Sequence, residues 1–149
     1  MTDDAIEREV FIRADIGHVW SLVSKAGFWI GDELHFEAEA GVGETVVVDT
    51  GRYGPISVRV DRLEPPGYAA YRGWVGAFPA VEPNATNSTL VEFTLVEQDG
   101  GVLVRVRESG FATLAGSQAE REAQRDANVA GWASQMELLR RVAEGAQSR

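Results

Sequence analysis

Polar and apolar residues alternate from Ile6, with Ile6, Arg8, Val10 and Ile12 on one face, so the chain opens on a strand. Asp15 then stands where a helix cap would stand, and Ile16, Val19, Trp20 and Val23 follow at helical spacing. "SKAGFWIGD" predicts a second short helix or turn ending near Gly31. Alternation returns in "LHFEAEA", which would turn Leu34, Phe36 and Ala38 inward and His35, Glu37 and Glu39 outward. "ETVVVDT" and "PISVRVDRL" are rich in β-branched residues and predict two further strands. The turn signal Pro65–Gly67 separates them from the strand "YAAYRGW". Val75 to Asn87 has no period and predicts a long loop, a candidate lid.

The clearest pattern is "STLVEFTLVEQDGGVLVRVRESGF", Ser88 to Phe111. Asp99-Gly100 suits a tight two-residue hairpin turn, because both positions need positive backbone angles. That turn pairs Gln98 with Gly101, Leu95 with Val104, Phe93 with Val106, and Val91 with Glu108. Thr94 meets Arg105 and Glu92 meets Arg107 on the other face, which reads as solvated. A slip of one residue would turn the apolar row to water, so the register is strongly specified. The inward row nevertheless ends in a carboxylate, Glu108.

Ser117 and Glu120 form a capping box ahead of a long helix. Asn128, Trp132, Gln135 or Met136, Leu139 and Val142 or Ala143 share its inward stripe. Gly131 weakens that helix by about 1 kcal/mol relative to Ala, which a close approach to the sheet would explain. Strands joined by short turns and closed by one long helix predict an α+β domain, with an antiparallel sheet under a C-terminal helix and space between them.

Composition narrows the function. The chain has 149 residues, a length that predicts one domain, and a net charge of −9. No basic cluster is present to grip phosphates, so nucleic acid is not an expected partner. The absence of cysteine removes disulfides, thiolate catalysis and cysteine metal sites, and two distant histidines, His18 and His35, do not suggest zinc. The acidic N-terminus does not read as a signal peptide, and no run reaches membrane-spanning length. A cytoplasmic protein without metal or cofactor is expected, and the two Asn-X-Ser/Thr sequons read as chance matches.

Candidate chemistry centres on the inward groups. Trp29, Phe36, Tyr71, Trp74, Phe93, Phe111 and Trp132 can line a core or a pocket. Val106 and Met136 belong to the same inward surfaces. Glu108 and Asn128 are polar groups on facing apolar surfaces, where an unpaired carboxylate is costly. Two readings stay open for Glu108: a strand end near water, or a solvated cavity in which Glu108 and Asn128 orient a ligand. Glu108 is the one weak catalytic candidate, because no nucleophile–base set accompanies it.

"REVFIRADIGHVWSLV", "RLEPPGYAAYRGW", the Ser88–Phe111 segment and "NVAGWASQMELLRRV" occur in an order and spacing that resemble a known family. It is the bacterial branch of proteins similar to the activator of heat-shock protein 90 ATPase, in the START-like (SRPBCC, Bet v 1-like) superfamily. The resemblance implies a helix-grip fold: a curved antiparallel sheet around the long C-terminal helix, two short helices after the first strand, and an internal cavity. It also implies a small hydrophobic or amphipathic ligand in that cavity. Two alternatives follow from relatives: an enzyme of the polyketide cyclase or aromatase type using Glu108, and a co-regulator of a chaperone ATPase. The eukaryotic co-chaperones carry an additional N-terminal domain, for which 149 residues leave no room. A monomer or a homodimer is compatible with each reading.

Overall fold

The computed structural model describes residues 5–31, 33–49, 54–74, 83–84 and 87–147. Six strands form one antiparallel sheet: β1 (Ile6–Ile12), β2 (Thr45–Asp49), β3 (Pro55–Glu64), β4 (Tyr68–Trp74), β5 (Ser88–Gln98) and β6 (Gly101–Ser109). Their order across the sheet is β1-β6-β5-β4-β3-β2. The N-terminal strand therefore closes one edge beside the last strand. The short helix α1 (Ile16–Val23) follows β1, and the long helix α2 (Gln118–Gln147) ends the chain. The curved sheet and α2 make an α+β helix-grip architecture.

The β5–β6 hairpin has the register its turn dictates, with Gln98 opposite Gly101, Phe93 opposite Val106 and Val91 opposite Glu108. Asp99 and Gly100 carry φ of 51° and 79°, the angles that a two-residue turn requires. On the inner face one row crosses five strands as Ile6, Glu108, Val91, Tyr71 and Val60. Glu108 is the polar member of an otherwise hydrophobic row.

Three expectations are corrected. A single α-helix follows β1, and "SKAGFWI" runs as turns instead of a second short helix. Leu34 to Ala40 forms no ladder: its backbone bonds to that turn, from His35 N–H to Phe28 O and from Ala26 N–H to Ala38 O. Leu34, Phe36, Ala38 and Ala40 still pack against the core, as their alternation requires. His35 is half-buried instead of exposed, and its enclosed Nε2 has no hydrogen-bond partner among the described residues. Strand β4 is regular from Tyr71 to Trp74, which pair with Val91 and Ser88. In β3 the register shifts between Val60 and Arg62. The candidate lid, residues 75–87, lies mostly outside the described residues, as does the side chain of Trp74.

Helix α2 begins with the predicted box: Ser117 Oγ accepts from Glu120 N–H at 3.1 Å, and Glu120 Oε1 accepts from Ser117 N–H at 2.9 Å. Its buried stripe is Trp132, Gln135, Met136, Leu139 and Ala143, while Val142 is exposed. Gly131 makes no close approach to the sheet; a Cβ added there would meet nothing within 4 Å. On the outer sheet face Thr94 lies opposite Arg105 and Glu92 opposite Arg107, as the register requires; Glu92 pairs with Arg107 at 3.8 Å, and Arg105 reaches across to pair with Glu9.

Candidate functional site

The aromatic side chains of the sheet's concave face mesh with one another. The Phe93 ring lies 5.1 Å from Phe28, 5.4 Å from Trp29, 6.1 Å from Tyr71 and 5.9 Å from Trp132, centroid to centroid. Phe36 stacks on Phe28 at 5.9 Å. Tyr71, Phe93, Val106, Phe111 and Met136 are all buried in this core. The Tyr71 hydroxyl donates to Val23 O at 2.7 Å, so its polar end is satisfied within the protein, and burial raises its pKa.

Trp29 occupies the hollow under the helix. It comes from the turn after α1, where Gly27 has φ +72° and its Cα lies so close to β2 that a Cβ would stand 2.7 Å from Val48 Cγ2. This approach holds the turn against the sheet. Opposite the indole, β4 carries Gly73, whose Cβ would stand 3.2 Å from Trp29 Cζ2. Gln135 ties the turn to α2, its Nε2 donating to Trp29 O at 2.7 Å and Gly31 O at 3.1 Å.

Open volume survives beside this packed centre. A cleft of about 410 Å³ is lined by Trp29, Ile30, Gly31, Glu108, Gln124, Ala127, Asn128, Gly131, Trp132 and Gln135. Its size falls within the ordinary range of small-molecule sites, about 300–1,000 Å³. The helical contributors recur at three- and four-residue spacing from Gln124 to Gln135, so one face of α2 forms a wall. Ala127 and Gly131 are the small residues on that wall, and the space exists where they lack side-chain volume.

Glu108 closes the inner end of the cleft and is 3% exposed. Three neutral groups donate to it. Trp132 Nε1 reaches Oε1 at 2.7 Å, Asn128 Nδ2 lies 3.1 and 3.2 Å from the two oxygens, and the Thr89 hydroxyl donates to Oε2. Asn128 and Trp132 are one helical turn apart, which lets both face the carboxylate. Gln124 Nε2 in turn donates to Asn128 Oδ1 at 3.0 Å, which fixes the amide with its NH₂ toward Glu108. Burial pushes the Glu108 carboxyl above its ordinary value, against the lowering effect of the Thr89, Trp132 and Asn128 hydrogen bonds.

Of the side chains expected around a ligand, the structure brings Trp29, Glu108, Asn128 and Trp132 to one cleft. It puts Tyr71, Phe93, Val106, Phe111 and Met136 in the core and packs the half-buried Phe36 against that core, all of them off the cleft wall. Glu108 is not at a wet strand end, since its partners are side chains. Sequence reading passed over Gln124, Ala127 and Gln135 as ligand contacts, and Gly131 as a spacer. Their signal was the continuation of the Asn128–Trp132 stripe in both directions along the helix through small and amide residues. Among the described residues no cluster of His, Asp and Glu is arranged to hold a metal ion. No described helix is long and apolar enough to cross a membrane.

A curved antiparallel sheet gripping a C-terminal helix, with a cleft at the helix's flank, defines a START-like helix-grip protein. The chain belongs to the family of Activator of Hsp90 ATPase homolog 1-like proteins, whose profile matches residues 9–144. Solved structures share its fold. The Aha1 dimer of Colwellia psychrerythraea superposes with a TM-score of 0.68 at 17% identity, covering 97% of both chains. A Bacillus halodurans protein gives 0.69 at 22% identity, covering 97% of this chain and 98% of its own. A putative protein in the dynemicin biosynthetic locus gives 0.66 at 24% identity, covering 94% of this chain and 47% of its own. No curated protein matches the chain.

Proposed function

We propose that the protein binds a small amphipathic molecule in the cleft between the Trp29–Gly31 turn and helix α2. One observation carries this reading: two indoles and a glycine-relieved helix wall leave about 410 Å³ open next to a buried, fully hydrogen-bonded carboxylate. The indoles of Trp29 and Trp132, 6.0 Å apart, offer apolar surface to a flat body. Glu108 acts by orientation and not by proton transfer. Asn128, Trp132 and Thr89 already occupy its lone pairs, and no nucleophile accompanies it among the described cleft residues.

Gly131 provides the test. Gly131→Ala raises stability by about 0.5–1 kcal/mol, because a helix interior prefers Ala and the new methyl meets no neighbour. Gly131→Leu keeps the fold and fills the cleft. Titration with a naphthalene-sized aromatic alcohol, followed by the Trp132 indole N–H resonance, saturates in the wild type and fails in Gly131→Leu. Equal binding by the two proteins places the ligand elsewhere and removes this reading.

A further inference from the structure

Glu108 meets two kinds of surroundings. Along the inner row its neighbours are Ile6 and Val91, both buried and apolar. Toward the helix it meets three neutral donors and then the cleft, where it is the one ionisable group among the ten lining residues. Charged side chains on the surrounding elements are engaged elsewhere or exposed. Glu7 of β1 and Glu92 of β5 lie with Arg107 on the outer sheet face, and Arg8 of β1 is exposed. On α2, Arg121 donates to the carbonyls of Leu114 and Gly116 and Arg125 to that of Ala5, while Glu122 and Asp126 are exposed. Lys25, ahead of the Trp29 turn, pairs with Glu39. Among the described residues none of these charges offsets the burial of Glu108.

Both protonation states of Glu108 can keep all three side-chain partners. The carboxylate accepts from Trp132, Asn128 and Thr89. Trp132 Nε1 only donates, and Gln124 holds the Asn128 amide with its NH₂ toward Glu108. The Thr89 hydroxyl can reverse. The neutral acid therefore carries its proton on Oε2 and donates it to Thr89 Oγ1, while Oε1 keeps Trp132 and Asn128. Hydration is then what separates the two states. Water in the cleft supports the charged form from its one open side, and an uncharged guest that displaces this water removes the support.

We infer that the cleft takes up a proton together with its ligand: an uncharged molecule filling it dries the Glu108 carboxylate and favours the neutral acid, with the proton drawn from solvent onto Oε2. This rests on the cleft being the ligand site. No proton passes to the ligand. The coupling is reciprocal, so a ligand that favours the neutral acid binds best where Glu108 is already neutral. Affinity is highest below the carboxyl's midpoint in the free protein, falls as pH rises through it, and levels above the midpoint of the complex. A naphthol, whose hydroxyl stays un-ionised over the range, is titrated from about pH 5 to about pH 8 into wild type and Glu108→Gln, with the Trp132 indole N–H as reporter. Wild-type affinity is expected to fall at least about threefold, which corresponds to a midpoint about half a unit higher in the complex, and the Gln variant shows no such fall. The ¹³C carboxyl resonance of Glu108 reads the same linkage directly, titrating at higher pH in the naphthol-saturated wild type than in the free protein; it decides the matter if the Gln variant binds too weakly to compare. A wild-type affinity that is flat or rises with pH, a fall shared by Glu108→Gln, or a carboxyl midpoint that naphthol does not raise overturns the proton linkage while leaving the cleft as a binding site. No saturable shift in wild type at any pH overturns both.

Discussion

Replacing Glu108 by Leu is expected to cost about 2–4 kcal/mol, whereas Glu108→Gln costs about 1 kcal/mol or less at acid pH. Leucine matches the apolar row but strands the donors aimed at it. Thr89 and the Trp132 indole are buried and have no water to turn to, while Asn128 is half-exposed and can recover part of the loss. Loss of the carboxylate's own desolvation offsets some of this, which is why the figure is smaller than three full unsatisfied donors. Glutamine keeps one oxygen for Trp132 and Asn128 and turns its NH₂ toward the Thr89 oxygen, which can accept. Urea midpoints of the three proteins measure the ranking. A Leu variant as stable as wild type would mean that the hydrogen bonds to Glu108 are not formed.

The same pair gives a pH signature with a definite sign. Burial raises the folded-state pKa of Glu108, so the folded protein holds that proton more tightly than the unfolded chain does. Its contribution is fully present below the unfolded value, about 4.3, and is lost as pH rises through the raised folded value. Glutamine does not titrate. The stability of wild type relative to Glu108→Gln therefore falls across that window and then levels. A relative stability that grows with pH would contradict the assignment.

Phe93→Ala is expected to be the most damaging single truncation in the core, at about 3–5 kcal/mol. The ring is fully buried and packs against Phe28, Trp29, Tyr71 and Trp132, so its removal leaves a hole that four large side chains cannot close. A loss of that size is a large share of the usual 5–15 kcal/mol, roughly, of a whole domain. Thermal or urea unfolding measures it. Phe93→Leu leaves a smaller defect and keeps the protein folded for binding work. Its naphthol affinity is expected to match wild type, because Phe93 does not line the cleft. Loss of binding in a folded Phe93→Leu would return the ring to the ligand.

The hairpin was legible residue by residue because one turn dipeptide and one apolar row together determine pairing and facing. The cap of α2 was legible for a similar reason, since Ser117 and Glu120 satisfy each other's backbone at a fixed spacing. Leu34–Ala40 shows where period alone falls short: alternation predicted which side chains pack, but not that the backbone would bond to a turn. For the site, Glu108, Asn128 and Trp132 could be placed on facing surfaces by register and helical spacing. The position of the Trp29 ring could not, because a turn has no period to aim it. That ring fills the hollow that the aromatic residues were expected to surround, and it moves the open space to the flank of α2. Gly131 followed from the same uncertainty, with its missing side chain opening toward the cleft and not toward the sheet.

Intermolecular NOEs from a bound naphthol decide most directly whether the ligand space lies at that flank. Contacts from its ring protons to Trp29, Gly131 and Trp132, with none to Tyr71 or Phe93, are the expected result. Contacts to Tyr71, Phe93 or Phe111 would mean that the aromatic core opens to admit the guest, and the cleft would lose its role.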